Sequence, residues 1–119
     1  MLSRRLLRVK VAKALYAHLK SNSDIRVSEK NLVESIDKAY DLYFQMMSLI
    51  VEVSRYAESR QELAKQKRLA THEDLNPNRR FVDNPIIALI SNSDSVNDVL
   101  ASRKLSWANN YDAVKDVYN

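Results

Sequence analysis

Glycine is absent. A chain of 119 residues would ordinarily carry about eight of them, and this one has none. Phosphate-cradling loops use residues that take positive φ and let the backbone approach a ligand, so the composition argues against P-loop and Rossmann nucleotide sites. The tight primed turns of two-residue hairpins also favour glycine, which argues against an all-β fold. Cysteine is absent too. That removes a disulfide framework, a thiol nucleophile and any cysteine-based zinc or iron–sulfur site, and it suits a reducing compartment such as the cytoplasm. Only two prolines occur, Pro77 and Pro85, so the rest of the chain contains neither of the strongest helix breakers. No apolar run approaches the length of about 18 residues that a membrane span requires.

What is present is helical in character. Apolar residues make up 45% and charged residues 29% of the chain, a balance that predicts one soluble, all-α domain over residues 1–119. The net charge of +4 is unevenly placed. Residues 1–20 contain Arg4, Arg5, Arg8, Lys10, Lys13 and Lys20 and no acid. The remainder of the chain is therefore slightly acidic, and the basic excess belongs to the first segment. Such a distribution marks an anion-facing arm. An amphipathic, acid-free N-terminus is also the composition of a mitochondrial presequence, the alternative to the cytoplasmic reading.

Hydrophobic spacing predicts the elements. From Ser3 to Lys20, Leu7, Val11, Ala14, Leu15 and Leu19 recur at steps of three and four, one face of a helix. Lys10, Lys13, Ala17 and Lys20 are expected on the opposite side, and Arg4 and Arg8 at the N-terminal end of the apolar stripe. Ser21 to Asp24 reads as a polar turn. Ser28 is the expected N-cap of a long helix from Glu29 to about Arg68, with Leu32, Ile36, Ala39, Tyr43, Met46, Ile50, Val53 and Ala57 as its core stripe. Past Ala57 the pattern turns polar, and that end should project into solvent. Thr71 to Pro85 reads as a long loop, closed by Asn84 and Pro85 as the N-cap and first residue of a short helix. Two further short helices are expected, near Ser95 to Ser102 and from Asn110 to the end. The last has no stop signal, as in an N-terminal fragment of a longer chain.

Candidate chemistry is sparse. His72, Glu73 and Asp74 are contiguous and lack the i, i+4 spacing of a helical ligand pair, so they read as solvated surface and no metal is expected. No serine sits on a glycine-flanked elbow, and pairs such as Glu34 with Asp37 read as helix surface. The chain is therefore expected not to be an enzyme and to need no cofactor. Tyr40, Tyr43, Phe44, Met46 and Met47 at helical spacing read as core rather than as a docking face. Six cations unrelieved by an acid, in contrast, would repel one another without an anionic partner, and nucleic acid is the favoured one. A protein-interaction module without RNA binding and a membrane-surface helix are the alternatives.

Particular residues carry a resemblance. Arg4-Arg5, Arg8 and Ala14-Leu15-Tyr16 resemble the opening helix of the bacterial transcription antitermination proteins of the NusB family. Glu73-Asp74-Leu75-Asn76-Pro77-Asn78, Phe81-Val82-Asp83-Asn84 and Lys104-Leu105-Ser106-Trp107 resemble the longer variant found in Bacteroidetes. The likeness runs over nearly the whole chain and corresponds to the N-terminal part of that variant. It departs from the shorter family pattern at Leu6 and Leu7. The resemblance implies an all-helical fold, binding of single-stranded boxA-type RNA, and a small-subunit ribosomal protein acting as NusE for partner. A homodimer is the alternative assembly. Carried over residue by residue, Arg4, Arg5 and Arg8 match the arginine motif, and Lys10 and Lys13 add positive charge beside it.

Overall fold

The computed structural model describes residues 2–119 and is all-α, with no strand among the described residues. Its helices are α1 (Arg4–Ser21), α2 (Ile25–Lys65), α3 (His72–Leu75), α4 (Pro85–Ser91), α5 (Asp94–Ser102) and α6 (Tyr111–Tyr118), the last preceded by a 3-10 turn at Ala108–Asn110. Among the described residues no helix is long and apolar enough to cross a membrane. Composition suggested one domain; the chain divides into two compact units, residues 1–42 and 43–119, with the boundary inside α2.

In the first unit, α1 and the start of α2 form an antiparallel pair. Lys10 meets Ser35 and His18 meets Ser28, an order that only helices running in opposite directions give. The turn between them supplies what glycine would elsewhere. Asn22 closes α1 with φ 48°, in the left-handed region where asparagine is the usual substitute. Asp24 rather than Ser28 opens α2: its carbonyl accepts from the amides of Val27 and Ser28, both at 3.1 Å. Ser28 lies inside the helix because His18 and Ser23 engage its hydroxyl.

The α1 seam is a correction to the apolar stripe read from spacing. Leu7, Lys10, Ala14 and His18 are the half-buried line of this helix, while Val11, Leu15 and Leu19 are exposed, and no α1 residue is fully buried. Only one edge of the stripe faces α2. Lys10, expected on the opposite side, reaches α2 and donates to its backbone.

The second unit holds the core. Val51, Val53, Ser54 and Ala57 of α2 are buried, as are Ile87 of α4, Val96 of α5 and Val114 of α6. The C-terminal segments attach along α2 at definite points. Trp107 Nε1 donates to the Gln45 carbonyl at 2.9 Å, and Tyr56 meets the rings of Tyr111 and Tyr118 edge-on, at 6.1 and 5.1 Å. Of the aromatic and methionine cluster expected in the core, Phe44 and Met47 are half-buried, whereas Tyr40, Tyr43 and Met46 are exposed.

The polar end of α2 is mostly exposed, as its charges require, yet one side is held. Gln61 Nε2 donates to the Asn78 carbonyl at 3.0 Å, and Arg79 forks between Asp83 and Glu58. Those carboxylates, Asp83 first, push the Arg79 guanidinium further up. The helix ends at Lys65, short of Arg68, in two tightened turns from Gln66 to the Leu63 carbonyl and Lys67 to the Ala64 carbonyl. The region read as loop contains α3, opened by a capping box. Thr71 Oγ1 accepts from the Asp74 amide and Asp74 Oδ2 accepts from the Thr71 amide. Asn84 and Pro85 open α4 as the sequence indicates, with Asn84 Oδ1 accepting from the Ile86 amide at 2.9 Å. Helix α5 ends without glycine: Lys104 takes φ 54°, the Leu105 amide reaches the Leu100 carbonyl and the Lys104 amide the Ala101 carbonyl. That is a Schellman stop with lysine in the position glycine favours.

Candidate nucleic-acid interface

Ser3 starts α1. Its Oγ accepts from the Leu6 amide at 3.2 Å and its carbonyl from the Leu7 amide at 3.0 Å. Arg4 and Arg5 are therefore the first two helical residues, and the first turn contains no acid. Cations at a helix N-terminus oppose the macrodipole, an unfavourable placement of about 0.3–1 kcal/mol each at an exposed site. Local stability does not account for arginines here.

Arg4, Arg5 and Arg8 are all exposed, and none pairs with a carboxylate among the described residues. At 3.6 residues per turn, Arg4 and Arg8 stand one above the other and Arg5 about a quarter turn round. Arg4 and Arg8 thus continue the exposed Val11 and Leu15 edge of α1, with Arg5 further round the same face. A planar fork of five donors on each suits bidentate contact with phosphate and stacking on unpaired bases.

Lys10 and Lys13 do not join that face. Lys10 is half-buried on the seam and its Nζ donates to the Ser35 carbonyl at 2.8 Å. Lys13 is exposed one turn further on, and both line a groove between α1 and α2. The basic segment presents two footprints, arginines on one side and lysines on another. Sequence reasoning missed a polar run beside the lysines: His18 Nδ1 lies 2.8 Å from Ser28 Oγ, which lies 3.0 Å from Ser23 Oγ. The position of His18, four residues after Ala14, was the available signal. On the other side of the seam, Val11, Leu15, Ile25 and Leu32 line an apolar groove of about 250 Å³.

Of the contiguous His72, Glu73 and Asp74, Asp74 is engaged by the Thr71 cap and by Lys67 at 3.0 Å. The Thr71 amide, and then Lys67, hold its carboxyl below the usual carboxylate range. No family model matches the chain, and neither a curated protein nor a solved structure does.

Proposed function

We propose that this chain is an RNA-binding, non-enzymatic factor of the NusB type, acting in transcription antitermination in the cytoplasm. Its ligand would be single-stranded boxA-like RNA, bound together with a small-subunit ribosomal protein in the NusE role. The supporting observation is the arginine face: three exposed guanidinium groups without acidic partners, placed where the helix dipole opposes them. Phosphate contacts by Arg4, Arg5 and Arg8 supply affinity and position, and stacking of a guanidinium on an unpaired base supplies selectivity.

Salt dependence tests the reading. Three neutralised phosphates on a single strand give a log–log slope near −2, at about 0.7 per contact. Fluorescence anisotropy on a boxA-like RNA at several salt concentrations measures it. Arg4→Ala with Arg8→Ala should bring the slope to about −0.7. Salt-independent binding, or an unchanged slope in the double variant, rejects the proposal.

One observation favours a second reading, a protein-interaction module. Leu15, Leu19 and Ile25 are exposed apolar side chains on the first unit, an arrangement that marks docking faces when contiguous. Concentration-dependent dimerisation in sedimentation experiments, with no RNA affinity, would select it.

A further inference from the structure

The groove on the lysine side of the first unit is about 280 Å³ in volume, and its walls include Lys10, Lys13, His18, Ser23, Ser28 and Asn31. No carboxylate lines it. Lys10 is half-buried there, with one hydrogen bond to the Ser35 carbonyl and no acidic partner among the described residues. An ammonium has three donors. With one donor on the Ser35 carbonyl, Lys10 has two left for an anion. Lys13 stands one turn along the same groove.

Hydroxyls line the same groove. Ser21 Oγ donates to Ser23 Oγ at 2.9 Å, Ser23 Oγ lies 3.0 Å from Ser28 Oγ, and Ser28 Oγ lies 2.8 Å from His18 Nδ1. A hydroxyl rotates to suit its partner. This run can therefore turn donors toward an oxygen-rich ligand without moving backbone. Ala14, Ala17 and Leu32 also line the groove, which keeps the surroundings less polar than open water and strengthens charge-assisted bonds.

We propose that this groove binds a phosphate group. Lys10 and Lys13 neutralise it, and one hydroxyl of the hydrogen-bonded Ser23–Ser28 pair, with the side-chain amide of Asn31, donates to its remaining oxygens. A phosphomonoester and an RNA backbone phosphate share this chemistry. The site stands apart from Arg4, Arg5 and Arg8 and does not require that they bind RNA.

Amide NMR of the full chain, titrated with inorganic phosphate at constant ionic strength against chloride, tests the site. The expected result is a saturable response confined to residues 10–35. Lys10→Met and Lys13→Gln should each weaken it about tenfold, the effect of losing one charge-assisted bond, while Arg4→Ala with Arg8→Ala should leave it unchanged. If Lys10→Met unfolds the helix pair, the exposed Lys13 carries the test alone. A response that stays linear with phosphate, that chloride reproduces, or that Lys13→Gln does not weaken, overturns the proposal. Adding a boxA-like RNA to the phosphate-loaded chain separates the sources: displacement assigns the backbone phosphate, and retention assigns a free phosphomonoester. Loss of RNA binding with the phosphate response intact would overturn the arginine reading and leave this site standing.

Discussion

Replacing Val114 with alanine should destabilise the second unit by about 2–3 kcal/mol. Val114 is fully buried, at 0% exposure. The substitution removes two methyl groups, and at ~0.8 kcal/mol for each buried carbon the transfer cost alone is about 1.6 kcal/mol. The remainder comes from the cavity, since close-packed neighbours relax only in part. Val117, three residues on in the same helix, is 60% exposed and provides the control. Alanine is the better helix former at both positions by up to about 0.6 kcal/mol, so that contribution largely cancels when the two variants are compared. Val117→Ala should lie within about 0.5 kcal/mol of the parent. Urea unfolding followed by far-ultraviolet circular dichroism and by the fluorescence of Trp107 gives both values. On a unit of this size the Val114 variant should melt roughly 10–20 °C lower. Equal effects at the two positions would refute the reasoning, because they would mean that α6 does not pack on α2.

Lys104→Gly should raise stability by about 0.5–1 kcal/mol in the same assay, because a lysine held at positive φ gives up roughly 1–2 kcal/mol and glycine loses only chain entropy. Leu19→Ser, at an exposed position on α1, should change stability by less than about 0.5 kcal/mol, whereas Ala14→Leu, on the seam, should cost about 1–3 kcal/mol by overpacking the first unit. A reversed order in thermal melts would restore the wider apolar stripe as the packed face. Asp74 titrates lower in the folded chain than in the unfolded one, so its cap on α3 contributes stability above the ordinary aspartate pKa and loses it as pH falls through the lowered value. Protection factors for amide hydrogen exchange at Thr71 and Leu75, taken relative to the intrinsic rate at each pH, should therefore fall at acid pH, and Asp74→Asn should flatten that dependence.

Much of the helical organisation was legible because it follows from local rules. Asn84 and Pro85 open α4 by their own side-chain geometry, and the four-and-three spacing of α2 specifies a helix whatever packs on it. The capping box at Thr71 is hard to read from sequence because its third helical position is aspartate rather than the longer acid that usually signals the motif. Local sequence favours Ser28 as the start of α2, whereas the helix opens at Asp24, because a serine suits a cap and equally suits a helix interior once His18 occupies its hydroxyl. The exposure of Arg4, Arg5 and Arg8 was legible because a guanidinium stays in water unless a buried partner holds it.

Sequence by itself determined the all-α class: without glycine the chain has poor turns for hairpins and no backbone nest for phosphate, and its apolar residues recur at the helical period. From it also comes the expectation that an anion, if bound, is met by side chains rather than by a glycine loop. Which edge of the α1 stripe meets α2 was decided only by tertiary structure, because a broad stripe can roll about its axis and keep the same period. The hydroxyl of Ser28 and the carbonyl of Ser35 face that edge. They admit His18 and Lys10 to the seam, leave Leu15 and Leu19 in water, and so turn two lysines of an apparently uniform basic helix into the wall of a separate groove.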